Sequence, residues 1–439
     1  MSTPTTRQRP VGPIPAHHRT NFIHLYADIA WFGVLSGSAI AFMAVFAARQ
    51  GATALQIGLL SAGPAVMNLL FTLPAGQWLK RQPISQAVFW TSVLHRFFYL
   101  GWVLLPLFLA PAGQVWGLIL LTLLMSIPGT GLAVGFNALF AAAVPAEWRG
   151  HVAGTRNALL SITFIFTSLI SGYILTRWSG EFGYQIVFTI GFVGAAMSSL
   201  HLWFVRPQVA AEQPPSTGRS LGDMAGPGWR GWGDGIRTTV GLRFLTRNGK
   251  RPFLLPNIDI WRGPFAPILG LLFGFHLAQF LAIPIFPLHW VDVLQLTDQA
   301  IGYGTAVFYL AVLIGSTQLA QLTDRFGNKR LMTLGTFTMG LYPVLLAVSH
   351  NLEMFLVTSA VGGLSWSIVG GAIANYILEK IPENERPEHL AWYNLVLNAA
   401  ILLGSLGGPL LANQVGLINA LWIAAAARGL VALGLWKWG

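Results

Sequence analysis

Twelve runs of mostly apolar residues, each bounded by charges or by Pro, Gly and Asn turns, constrain this chain more than any other feature. They lie near 25–48, 56–79, 85–109, 115–144, 154–177, 184–205, 264–291, 300–321, 329–349, 353–379, 389–413 and 417–437. A helix crossing the ~30 Å hydrocarbon core of a bilayer needs about 20 such residues. Open strands would leave backbone groups unsatisfied in lipid, and the runs are too long for barrel strands. The sequence therefore predicts an all-α integral membrane protein with twelve transmembrane helices. Only 9% of the residues are charged and 54% are hydrophobic, against roughly 25% charged in a soluble domain. That deficit excludes soluble-enzyme, disordered and fibrous classes.

The few charges carry the topology. One long polar stretch, 206–262, holds nine basic and four acidic residues and divides the chain six plus six. The expected organisation is a tail over 1–21, a six-helix unit over 22–205, the central loop over 206–262 and a second six-helix unit over 263–439. If the central loop is cytoplasmic, 22 of the 26 Lys and Arg are too; Arg49 and Arg177 face outside, and Arg96 and Arg428 lie within spans. This one-sided bias follows the positive-inside rule and predicts a multi-pass protein of the plasma (cell inner) membrane with both termini cytoplasmic. The formal net charge of +11 is then a topology signal rather than a nucleic-acid footprint. The tail offers no secretory signal pattern. With no Cys in the sequence, disulfides and thiolate metal sites are out. Within the central loop, Asp234 to Arg247 spaces Ile236, Val240 and Phe244 against Arg237, Arg243 and Arg247. An amphipathic helix on the inner leaflet and a solvated linker both fit that pattern.

The two halves repeat. Gly58 and Gly302 open spans 2 and 8, and Gly76 and Ala320 close them, both at an offset of 244; Pro145, Arg149 and Asn157 match Pro382, Arg386 and Asn394 at an offset of 237. Parallel repeats of this kind build transporters from two related halves. The segment Ala320 to Arg330, with Asp324, Arg325, Gly327, Lys329 and Arg330, resembles the G-x-L-A-D-R-x-G-R-K loop of the major facilitator superfamily. Gly76-Gln-Trp-Leu-Lys80-Arg81 is a degraded copy, and Pro145-Ala-Glu-Trp-Arg149-Gly150 resembles the superfamily's P-x-x-x-R-G segment. The resemblance implies two pseudo-symmetric six-helix bundles around a central cavity, and transport by alternating access. It also implies a cytoplasmic latch closing when the cavity opens outward. Lys80 stands where the latch should have its first acid, and subfamily signatures of drug antiporters, sugar porters and peptide porters are missing. The charges look swapped: Asp324 is expected to meet Arg149 and Arg156, and Lys80 and Arg81 to meet Glu383, Glu385 and Glu388.

Ionisable groups inside the membrane are costly and so carry the first functional suspicion. Arg96 and Arg428 lie near mid-depth in spans 3 and 12, peripheral helices in the resembled fold, where each could also simply tie its helix to neighbouring carbonyls or amides. Asp28 is the acid of span 1, a candidate proton carrier or an interfacial helix partner. His276 and, one turn on, Gln279 share a face of span 7; Asn137, Asn375 and Trp366 sit on other helices that line the cavity in that fold. For each of these a packing role competes with ligand contact. The resulting reading is a secondary active transporter of a small organic solute. Protons are the candidate coupling ion, and the sparse cavity charge leans toward efflux of amphipathic compounds. A transporter-like scaffold, assembly factor or sensor without flux is the alternative. No G-x-x-x-x-G-K-[ST], HExxH or GxSxG pattern occurs, which argues against ATP-driven transport and against an enzyme. No cofactor or metal is expected; the partners are the bilayer, a small-molecule substrate and protons, and the chain is expected to act as a monomer.

Overall fold

The computed structural model describes residues 16–207, 258–382 and 385–439. Among them are twelve helices long and apolar enough to cross a membrane. Spans 1 to 6 are His18–Arg49, Ala54–Leu79, Ile84–Phe108, Pro111–Ala143, Arg149–Arg177 and Glu181–Phe204. Spans 7 to 12 are Ala266–Val293, Asp298–Phe326, Asn328–Val348, Leu352–Lys380, Glu388–Val415 and Leu417–Trp438. Their ends follow local chemistry. Thr53 opens span 2 with a capping box closed by Gln56, and Thr297 and Asn351 accept hydrogen bonds from backbone N–H groups at the starts of spans 8 and 10, satisfying donors that a helix N-terminus leaves free. Gly327 (φ 77°) and Gly416 (φ 86°) make the tight passages between spans 8 and 9 and between spans 11 and 12, a left-handed conformation that a side chain would strain.

One expectation changes at the edge. The polar tail was expected to run to residue 21, but the first helix begins at Ala16. Asn21 explains the extension: its amide nitrogen donates to the carbonyls of Ala143 and Arg206, and its oxygen accepts from the Arg206 backbone N–H at 3.0 Å. The helix start is thereby tied to the ends of spans 4 and 6. Most of the central loop, including Asp234 to Arg247, lies outside the described residues; its end forms a 3-10 turn over Ile258–Arg262.

Spans 1 to 6 pack as one bundle and spans 7 to 12 as another, and the bundles meet where span 5 lies along span 8 and span 2 along span 11. The internal repeat acquires a physical reason at these crossings. A Cβ on Gly302 would stand 2.9 Å from the Ser168 carbonyl oxygen of span 5, and one on Gly58 would stand 2.9 Å from Pro409 Cγ of span 11. The two glycines related by the sequence offset thus permit the two related crossings.

The first helix of each bundle is broken. Span 1 contains a π-helical turn over Ser36–Ile40. Span 7 stops its α-helix at Ala282, turns at Ile283 and Pro284, and ends in a π-helical turn over His289–Val293. Proline removes a backbone donor, and π-turns gather at functional positions. Interrupted helices at matching places in the two halves of a transporter point to its binding site.

Candidate functional site

Between the bundles, at the level of those breaks, lies a cavity of about 220 Å3. Ser36, Ile40 and Met43 of span 1 face His276, Gln279 and Pro284 of span 7 across it, with further walls from spans 2, 5, 8, 9, 10, 11 and 12. Phe275, Phe286, Trp290, Phe308, Tyr309 and Trp366 give it an aromatic lining. His276 Nε2 lies 3.0 Å from the Tyr393 hydroxyl of span 11. Asn68 accepts from the Thr130 hydroxyl at 2.8 Å and donates across the bundle boundary to Asn398 at 3.3 Å.

The face away from the termini is drawn shut. Arg49, at the end of span 1, pairs with Asp298 at the start of span 8 (3.2 Å) and also donates to the Leu296 carbonyl. On the face that carries the termini, Lys80, Arg81, Asp324, Arg325, Glu385 and Glu388 all stand exposed. We expect Arg49→Ala to favour the conformation open on the far face. A contact of ~1.4 kcal/mol would change the population ratio about tenfold, whereas a fully screened pair would change nothing. Since the sequence has no Cys, labelling of a Thr305→Cys reporter in the cavity wall by a membrane-impermeant maleimide from that face measures the shift; no increase would remove the pair from the gate.

Asp28 and Arg96, singled out separately in the sequence, belong to one network inside the first bundle. Asp28 is 1% exposed; it receives Arg156 Nη2 at 3.1 Å, the Ser198 hydroxyl at 2.5 Å and Arg96 Nη2 at 3.7 Å. Arg96 also donates to Ser199 at 3.0 Å, and Arg156 to the Leu25 carbonyl at 2.8 Å. Spans 1, 3, 5 and 6 are joined by this cluster. Arg156 was expected at the latch with Asp324 and is instead buried here, because its side chain turns inward from the first turns of span 5. Arg149, the other expected partner of Asp324, donates to the Val144 and Ala141 carbonyls at 3.1 and 2.6 Å, closing the end of span 4. In the second expected latch, Glu383 lies outside the described residues, and the Glu385 carboxylate stands 3.8 Å from His389. Gly76 is buried, Gly327 forms the span 8 to 9 turn, Lys329 is half-buried and Arg330 exposed.

Of the remaining candidates, His276, Gln279 and Trp366 line the cavity, whereas Asn137 and Asn375 are half-buried away from its lining. Arg428 is both structural and cavity-lining: it donates to the carbonyls of Met339 (2.7 Å), Gln279 (3.3 Å) and Ala278 (3.4 Å). The Arg49–Asp298 pair and the Asn68–Asn398 bridge escaped the sequence reading. The only available hint was the capping Thr297-Asp298 pair following a broken span.

The family model described as Major Facilitator Superfamily matches residues 268–438. Quinolone resistance protein NorA of Staphylococcus aureus (strain MRSA252) is 26% identical over 129 residues, 29% of this chain and 33% of that protein. The chain thus matches about a third of the length of its curated relative. A bacterial homologue of the iron transporter ferroportin, solved in its inward-facing state, superposes with a TM-score of 0.68 at 15% identity, covering 97% of this chain and 99% of that one. The outward-facing structure with soaked iron gives 0.55 at the same identity and coverage. The likeness is one of fold, and it is greater to the inward-facing arrangement.

Proposed function

We propose that this chain, matched over residues 268–438 by the model of the major facilitator superfamily and sharing its fold, is a secondary active transporter that exports a small, largely apolar organic solute by alternating access. One observation carries the reading: a cavity at mid-depth, walled by the broken first helix of each bundle and shut on one face by Arg49 and Asp298. The face bearing the termini is assigned to the cytoplasm from the placement of Lys and Arg, which makes the present arrangement inward-facing. An aromatic wall with few polar groups suits an amphipathic ligand. The distant likeness to a protein named for quinolone resistance favours export.

Reconstitution in proteoliposomes tests the proposal. Solute flux that follows an imposed proton or solute gradient is expected; binding without flux under any gradient would leave the scaffold reading in its place.

Proton coupling is assigned to His276, the imidazole among the cavity-lining side chains, the side-chain type whose unperturbed charge change falls between pH 5 and 8. Asp28, held by Arg156 and approached by Arg96, is a fixed counter-ion in this scheme. His276→Gln should keep downhill exchange and lose the acceleration by a pH gradient. A pH response equal to that of the unmodified protein would exclude the histidine as carrier.

A further inference from the structure

The cavity is electrostatically one-sided. Among the described residues that line it, Arg428 supplies the one permanent charge, and no Asp, Glu or Lys is present. Arg428 is 5% exposed and sits midway along span 12. Its hydrogen bonds go to main-chain carbonyls. Met339 lies four residues before Pro343, whose missing N–H leaves that carbonyl free. Gln279 carries the first of the last four carbonyls of the helix that ends at Ala282, which lack intrahelical donors, and Ala278 directly precedes it. The guanidinium therefore gathers the Met339 and Gln279 oxygens released by two helix breaks, with the Ala278 carbonyl as a third acceptor, which accounts for its position. It does not account for its charge: carbonyls satisfy N–H groups without neutralising the cation, and an uncompensated charge in a low-dielectric site is costly.

Three of the five guanidinium N–H groups are used in these bonds, which leaves two on a side chain that lines the cavity. Gln279, 7% exposed on the same wall, holds its side-chain carbonyl oxygen buried without a hydrogen-bond partner. Phe275, Phe280, Phe286 and Trp290 line the same cavity. The first bundle offers no counter-ion, since Asp28 is committed to Arg156 and does not reach the cavity.

We propose that the cavity selects organic anions: a flat apolar body carrying one carboxylate, which pairs with the two remaining N–H groups of Arg428. A hydrogen-bond donor next to the carboxylate would satisfy Gln279. A planar guanidinium favours such two-point recognition. The assignment rests on the transporter reading above and narrows it to a charge class.

Three probes of one shape test it: 2-naphthoate, 2-naphthalenemethanol and 2-naphthylmethylammonium, titrated calorimetrically into the full chain in lipid nanodiscs with empty discs as blank. The naphthoate is expected to bind at least about tenfold more tightly than either of the others, a preference of ~1.4 kcal/mol. Arg428→Lys should keep that order with weaker binding. Arg428→Met should abolish the anion preference, so that the naphthoate binds no more tightly than the alcohol. Should that variant not fold, the three-probe order on the unmodified protein decides alone. Equal or tighter binding of the ammonium or the alcohol, or saturable binding of none, overturns the proposal. Gradient-driven flux of the same probes separates the two readings. Flux of the ammonium and not the naphthoate overturns the anion assignment while transport stands. Naphthoate binding without flux of any probe keeps the site and overturns transport.

Discussion

Asp28→Asn is expected to cost about 3–5 kcal/mol of stability, the range for removing one partner of a buried ion pair, and to be the most damaging single charge change in the first bundle. Arg156 and Arg96 both turn toward this carboxylate, with side chains 6% and 2% exposed. The cluster already holds one positive charge in excess. Aromatic faces offset part of it: Arg156 lies 4.7 Å over the Phe136 ring and Arg96 5.9 Å over Phe32. Neutralising Asp28 would raise the excess to two like charges in a site buried from bulk solvent. Removing Arg156 instead brings the cluster to neutrality, so Arg156→Met should cost less than Asp28→Asn. The double variant returns the net charge to its original value, and its cost should fall below the sum of the singles. That non-additivity marks groups acting on one another. Unfolding midpoints of the detergent-solubilised variants give the order directly. If Arg156→Met proves more damaging than Asp28→Asn, the network is held by the hydrogen bond to Leu25 and by packing, and the electrostatic account fails.

The same residues show what a sequence can and cannot disclose about such a chain. Spans are legible because the bilayer forces each one to be a continuous apolar run closed on its own hydrogen bonds, so that length and boundary chemistry suffice. Span ends are legible where a cap is local, as at Thr53 and Gln56. Side-chain direction is not: Arg156 reads as a loop-proximal cation by position, yet its partner Asp28 lies 128 residues away. Only the packing of spans 1 and 5 decides that it points inward. Arg428 could be recognised as an anomaly from its depth alone, whereas the proline-freed carbonyl of Met339 that holds it required the neighbouring helices. His276 and Gln279 were found because one turn of a helix puts them on one face. Their common cavity depends on the break at Pro284, which a count of apolar residues passes over.

Gly58→Val and Gly302→Val are expected to change conformation more than stability. Each new side chain would meet the opposite bundle, at Pro409 and the Ser405 carbonyl for Gly58 and at the Ser168 carbonyl for Gly302. Overpacking of this kind typically costs 1–3 kcal/mol. In the proposed transport cycle a rigid-body motion would relieve it, because the two bundles would separate on this face when the cavity opens that way. A penalty borne by one of two states is a population shift, of about ten- to a hundredfold for 1.4 to 2.8 kcal/mol. Gly363→Ala is the control. Its Cβ would meet Ala311 at 2.8 Å and the Phe308 carbonyl, both on span 8 of the same bundle. Rocking of the bundles cannot relieve that clash, so this variant should lose thermal stability without altering access. A Thr305→Cys reporter in each background separates the outcomes: more labelling from the far face with a near-normal unfolding midpoint for the two valines, and the reverse for Gly363→Ala. If all three behaved alike, the two crossings would not be the surfaces that part during transport, and the alternating-access geometry drawn from them would have to be abandoned.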